Sequence, residues 1–192
     1  EEDHEPFLGY WGYTIYRTYY GPGSDEQWSK LLENITDGVK KGLFNIDEAE
    51  KDPEAVTKAQ ARFRLDTRSA PATLDGRILE DIQQVYLEGS GGQPMRGTQF
   101  NDWNTAIFLL ADSQVLKDPD LRVIKVVDAN HDPVADIPKN IRCGPQSNFG
   151  WITMPTTAVV DSYIRMDTFT FEHIINHAGG GPGVLWDPDV HY

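Results

Sequence analysis

Residues 10–20 read YWGYTIYRTYY, and residues 21–42 behind them read GPGSDEQWSKLLENITDGVKKG. In an extended chain successive side chains alternate between faces. Trp11, Tyr13, Ile15, Arg17 and Tyr19 then share one face, and Tyr10, Gly12, Thr14, Tyr16, Thr18 and Tyr20 share the other. Aromatic residues on both faces predict a central strand covered on each side. Gly21-Pro22-Gly23 ends it. Ser24 reads as a helix N-cap, with Gln27 completing a capping box. Trp28, Leu31, Leu32, Ile35 and Val39 recur at the helical period. Lys40 and Lys41 suit the negative end of that helix, and Gly42 fits its C-cap.

Working outward, residues 47–60 are charged, with a short helix expected after Pro53. Residues 61–67 alternate: Phe63, Leu65 and Thr67 one way, Arg62, Arg64 and Asp66 the other. That pattern predicts a strand with one face on a core and one in water or a polar groove. A second helix is expected over 74–87, with Leu74, Ile78, Ile82 and Val85 as its buried stripe. Residues 88–98 read as a surface loop, 104–111 and 121–128 as strands, 130–148 as loop and 149–154 as a short strand. A third helix opens at Pro155-Thr156, with Val159, Val160 and Tyr163 inward. Residues 169–177 extend a helix or run partly as a strand, and an irregular tail follows Gly183.

The order predicts an α+β fold: a mixed or antiparallel sheet with helices packed mainly on one face, ferredoxin-like in spirit. A doubly wound sheet is the competitor. The half-exposed alternation of 61–67 weighs against it, because strands covered on both faces read as unbroken apolar runs. Residues 1–9 form an acidic tail, and 10–192 a single domain with no internal repeat.

The chain has 192 residues, 30 acidic and 17 basic, for a formal net charge of −13. That charge repels phosphate backbones and anionic bilayers, so neither nucleic acid nor membrane is an expected partner. The basic run Lys58, Arg62, Arg64 and Arg68 reads as a solvated face matched by acidic neighbours. One cysteine, Cys143, excludes an internal disulfide and favours a cytoplasmic setting, although the trimmed amino terminus leaves secretion open. The sequon at Asn34 falls inside the first helix and reads as accidental.

Candidate chemistry is sparse. His173 and His177 stand four apart in FEHIINH, which places both imidazoles on one helical face. A third ligand would come from far away, with Asp128, His131 or Asp132 available. Cys143, in an Arg-Cys-Gly-Pro loop, would be a nucleophile only beside a histidine, and Arg142 would favour its thiolate. Neither glycine cluster forms a nucleophile elbow or a phosphate loop. Asp102, Asp112, Asp128, Asp132 and Asp136 have no ranking from spacing alone. No cofactor is called for, and no metal beyond what His173 and His177 would hold.

A groove between the first two strands would be lined by Arg62 and Arg64, with Tyr16 or Arg17 from the aromatic strand. Alternation forbids Tyr16 and Arg17 from serving it together. Guanidinium forks beside aromatic faces suit a small anionic or aromatic ligand.

The opening 11–20 and Ser24-Asp25-Glu26-Gln27-Trp28 resemble a group of uncharacterised proteins common in filamentous fungi. Residues 108–112, 123–128 and 150–163 resemble the same group in their order. The resemblance covers most of the chain and implies a fungal source and one compact domain. It carries no activity, catalytic residue or cofactor. The expected function is therefore a soluble, non-catalytic domain that binds a small anionic or aromatic ligand or a protein partner. The alternative is a small intracellular or secreted enzyme using the histidine pair or Cys143, with or without a metal. Homodimerisation through a sheet edge or an exposed aromatic face is compatible with either.

Overall fold

The aromatic strand forms as β1 (Trp11–Arg17), and all seven of its residues are buried. The computed structural model describes residues 9–46, 51–95, 106–118, 120, 122–135, 137–138 and 145–190. β1 pairs in parallel with β2 (Phe63–Arg68) on one side and β3 (Ile107–Ala111) on the other. β4 (Val123–Asp128) and β5 (Trp151–Pro155) extend the sheet antiparallel, giving the order β2-β1-β3-β4-β5.

Helices cover both faces. On one face β1 contributes Trp11, Tyr13 and Ile15 to a core with α1 (Ser24–Phe44), α2 (Pro53–Arg62), α6 (Val159–Thr168) and α7 (Phe171–His177). On the other, Tyr16, Phe108, Leu110 and Val127 pack against Leu74 of α3 (Pro71–Leu74) and Ile82 and Tyr86 of α4 (Leu79–Glu88). A short α5 (Ser113–Leu116) follows β3.

The mixed α+β sheet with helices packed against it is as expected, and the helices lie on both of its faces. The ferredoxin-like arrangement is not the one seen, because β1 and β2 are direct parallel neighbours. The chain crosses from β1 to β2 over one face and from β2 to β3 over the other. Opposite directions on opposite faces give both crossovers the same hand. The alternation that argued against a covered sheet comes from the place of β2 at the edge of the sheet.

Four local readings are corrected. Ser24 is the first helical residue, not the cap; Gly23 (φ 76°) occupies the cap and no side chain bonds there. The Ser24 hydroxyl instead accepts from Arg17 Nη2 at 2.8 Å, so the capping box does not form. The first helix runs past Gly42 to Phe44. The helix expected over 74–87 is two pieces, broken at Asp75-Gly76, and Ile78 at the start of α4 is exposed. Arg62 ends α2, whose N-cap Asp52 accepts from the Ala55 N–H at 2.9 Å; it therefore does not share a strand face with Arg64.

Helix α1 buries Trp28, Leu31, Ile35 and Val39, as its periodicity predicts. It sits so close to the 3₁₀ turn Thr156–Ala158 that a Cβ on Gly38 would lie 2.3 Å from the Thr156 carbonyl oxygen. Below it, the Ser162 hydroxyl donates to the Val159 carbonyl at 2.9 Å, so the Tyr13 hydroxyl donates to Ser162 Oγ at 3.1 Å. Burial raises the Tyr13 pKa well above the usual tyrosine value.

Both sheet edges are managed. The Thr153 N–H donates to the Val184 carbonyl at 2.9 Å and the Trp186 N–H to the Thr153 carbonyl at 2.8 Å. With Trp186 buried in the core, the tail covers β5. On β2, Arg64 folds back and donates to the carbonyls of Ala61 (2.9 Å) and Phe63 (2.7 Å). A charged side chain on an edge strand blunts the edge against strand addition.

Candidate functional site

The parallel strands end in a cluster of charges that is already paired. Arg17 closes β1 with its side chain only 4% exposed, and its Nη2 lies 2.6 Å from Asp25 Oδ1 in the first turn of α1. Its Nε donates to the Tyr19 carbonyl at 3.0 Å, and its guanidinium lies 4.3 Å from the Tyr20 ring centroid. Arg17 thus links β1 to α1, buried and paired with Asp25. Tyr16, on the opposite face as alternation requires, is packed edge-on against Phe108 at 5.4 Å and is buried.

The other basic residues are placed similarly. Arg64 is exposed and lies over the Tyr10 ring at 4.7 Å. Arg68 Nη2 bonds Asp66 Oδ2 at 2.7 Å and, with its other nitrogen, the Gly91 carbonyl, strapping the 89–95 loop to β2. Asp66 also accepts from Thr14 at 2.9 Å, and Thr14 accepts the Met95 N–H at 2.7 Å. Lys58 pairs with Glu54 at 2.8 Å. Within the 58–68 run, Lys58 and Arg68 are thus paired with acidic neighbours, and Arg64 is turned onto backbone carbonyls. Arg62 ends α2, Arg64 lies on β2, and Tyr16 and Arg17 point to opposite faces of β1, so the four do not converge on one groove.

On the α4 face, Lys125 of β4 is buried against Asp112 Oδ2 and Gln114 Oε1, each at 2.6 Å. Its ammonium lies 4.3 Å from the centroid of the Trp151 ring. The other Asp112 oxygen caps α5, accepting from the Gln114 and Val115 N–H groups at 2.9 and 3.1 Å.

His173 and His177 do share a helical face, with ring centroids 5.6 Å apart, and both are exposed. Among the described residues no group of three or more His, Cys, Asp or Glu side chains forms a metal cluster. Asp128, His131 and Asp132 are thus not brought to the pair as further ligands. Cys143, Arg142, Asp102 and Asp136 lie outside the described residues.

A concavity occurs elsewhere, at the amino-terminal end of β3 on the α4 face. This open cleft of about 170 Å³ is lined by Leu79, Glu80 and Gln83 from α4, His131 and Pro133 from the loop after β4, and Gln146, Phe149 and Trp151 at the entry to β5. Its walls are locally fixed. Gln83 Nε2 donates to the Asp128 carbonyl at 2.7 Å, tying α4 to the end of β4. Asp128 Oδ1 accepts the Asn130 N–H and Asn148 Oδ1 the Gly150 N–H, each at 2.9 Å, forming the side-chain-closed turns that short polar residues favour. Gly150, at φ 73°, lets the His131 ring lie against the backbone; a Cβ there would meet the ring at 2.4 Å. Gln146 Nε2 donates to the Asn148 carbonyl at 2.9 Å.

The cleft therefore offers flat apolar walls in Trp151, Phe149 and Leu79. Its polar groups include a carboxylate, Glu80, and the amides of Gln83 and Gln146, each of which donates one N–H to a backbone carbonyl. Reading the chain in one dimension missed this site. The available signal was Phe149-Gly150-Trp151, two aromatic residues around a glycine where a loop becomes a strand.

Compared with protein-family models, with curated proteins and with solved structures, the chain matches none.

Proposed function

We propose that this chain is a small-molecule-binding domain whose cleft takes a compact aromatic ligand carrying hydrogen-bond donors. The observation that supports the reading is the cleft itself. It has aromatic walls from Phe149 and Trp151, with Glu80, Gln83 and Gln146 around them. Pockets of mostly apolar walls with a few placed polar groups are the usual form of ligand sites. A carboxylate at the rim disfavours an anionic ligand and favours an amine or hydroxyl on the ring. With Arg17 buried and paired, the aromatic half of the sequence expectation has support that the anionic half lacks.

Fluorescence titration tests the reading directly. Trp11, Trp28 and Trp186 are buried, and Trp151 is partly exposed. Tyramine, phenol and benzoate, titrated against the intact chain, should bind in that order of decreasing affinity. Trp151→Ala should weaken tyramine binding by about tenfold or more, through the lost ring contact. Glu80→Gln should narrow the gap between tyramine and phenol. Tightest binding of benzoate, or unchanged affinity in Trp151→Ala, would overturn the assignment.

A further inference from the structure

We infer that α7 carries a two-imidazole chelate for a borderline divalent transition-metal ion, Cu²⁺ above Ni²⁺ and Zn²⁺. The site stands apart from the cleft: α7 packs on the α1 face of the sheet, whereas the cleft opens on the α4 face. His173 and His177 both lie on the outer side of α7, with ring planes 19° apart at a 5.6 Å centroid separation. Phe169 stacks on the far side of the His173 ring at 4.9 Å and 11°, continuing one aromatic column along the helix surface.

The helix beneath the pair is held in place. Phe171, Ile174 and Ile175 are buried in the core, and the Thr170 hydroxyl oxygen accepts the His173 N–H at 3.2 Å as an N-cap. The two imidazoles are thus delivered on a fixed scaffold, one turn apart, where side chains at this spacing are neighbours. Metal–nitrogen bonds of about 2.0–2.1 Å require the two ring nitrogens to converge on adjacent corners of the coordination sphere. Because both rings are exposed, rotation about their side-chain torsions brings this about without moving the helix.

The donor set selects the ion. Imidazole nitrogen suits copper, nickel and zinc, and the affinity order among these places Cu²⁺ first. Mg²⁺ and Ca²⁺ require oxygen ligands and find none in the pair. With no cluster of three or more ligating side chains among the described residues, the remaining positions belong to water, which makes the ion exchangeable. The formal charge of −13 favours any cation at the surface, so the discriminating property is preference among cations.

The test is isothermal titration of the untagged full chain with CuCl₂, NiCl₂, ZnCl₂ and MgCl₂ in a non-coordinating buffer. Saturable 1:1 binding of Cu²⁺ is expected, weaker binding of Ni²⁺ and Zn²⁺, and none of Mg²⁺. The second imidazole binds intramolecularly, so His173→Ala or His177→Ala should each lower Cu²⁺ affinity by about 100-fold. Both positions are exposed, and far-ultraviolet circular dichroism of the variants checks that the fold is kept. Cu²⁺ affinity retained in the His173→Ala/His177→Ala double variant would place the ion elsewhere and overturn the inference. So would equal retention of Mg²⁺ and Cu²⁺, which would show attraction by charge alone.

Discussion

Neutralising Asp112 should destabilise the fold more than neutralising its partner Lys125, although the pair is the same. The two side chains meet at 2.6 Å with exposures of 7% for Lys125 and 24% for Asp112. Asp112→Asn preserves shape and the acceptor that caps α5, but leaves a buried ammonium facing a neutral amide. Breaking a buried pair in this direction costs about 3–5 kcal/mol, and water access to the Asp112 side reduces the expectation to about 2–3 kcal/mol. Asp112→Ala also removes the acceptor for the Gln114 and Val115 N–H groups, adding about 1 kcal/mol. Lys125→Met removes the buried charge and keeps an unbranched stem against the Trp151 ring. The residual Asp112 carboxylate still accepts two N–H bonds and reaches water, so this change should cost about 0–1.5 kcal/mol. Urea denaturation with linear extrapolation gives each value. The double variant Lys125→Met/Asp112→Asn should cost less than the sum of the two, by about 1–2 kcal/mol. A Lys125→Met loss exceeding that of Asp112→Asn, or strict additivity, would refute the view that the desolvated ammonium sets the penalty.

Trp28→Ala, deleting the largest side chain that α1 buries, should cost about 3–5 kcal/mol, and a denaturation difference under about 1 kcal/mol would contradict its packing. Gly38→Ala should cost about 1–3 kcal/mol despite the better helix propensity of alanine, because the new methyl meets the Thr156 carbonyl oxygen at 2.3 Å; a gain in stability would show that α1 and the 3₁₀ turn separate freely. The Asp161 carboxyl is pushed up by burial, partly offset by Arg165 and raised again by Asp189. The folded chain therefore holds that proton more tightly than the unfolded one, and stability falls as pH rises from the ordinary aspartate value through the raised folded value. Asp161→Asn should accordingly stabilise the protein at pH 7, with the gain disappearing below about pH 3.9; thermal melts at pH 3 and 7 showing equal gains would rule this out. Duplex DNA should show no salt-dependent binding at physiological ionic strength, since Lys58 and Arg68 are paired with Glu54 and Asp66; a steep loss of binding between low and moderate salt would refute it.

The central strand and the first helix were legible because each carries its signal within a single segment. Tyr13 and Tyr16 lie on opposite faces of β1 and both are buried, as the two-sided aromatic pattern requires. Trp28, Ile35 and Val39 mark α1 by period alone. Where a second segment competes for a group, the local rule fails. Ser24 has the chemistry of a cap, yet Arg17 takes its hydroxyl from the preceding strand, and Gly23 adopts the left-handed turn instead. Gly76, at φ 69°, was the visible reason that residues 74–87 would not form one helix, and it outweighed the apolar spacing of Leu74 and Ile78.

The charged residues were harder to interpret for a related reason: their role depends on the distance to a partner, not on their own type. Arg17 and Arg64 look alike in sequence, but Arg17 is closed between β1 and α1, while Arg64 is turned onto the Ala61 carbonyl of α2 and the Phe63 carbonyl of β2. The cleft illustrates the limit most sharply. Its walls come from residues 79–83, 131–133 and 146–151, three segments that read separately as a helix start, a proline-bearing loop and a strand entry. Only the antiparallel pairing of β4 with β5, which sets Val127 opposite Trp151, brings the last two together, and Gln83 then joins α4 to them through the Asp128 carbonyl. The register of one strand pair therefore decides whether this chain has a cleft on that face. A register slip of one residue between β4 and β5 would turn Trp151 to the opposite face and remove the aromatic wall on which the proposed ligand rests.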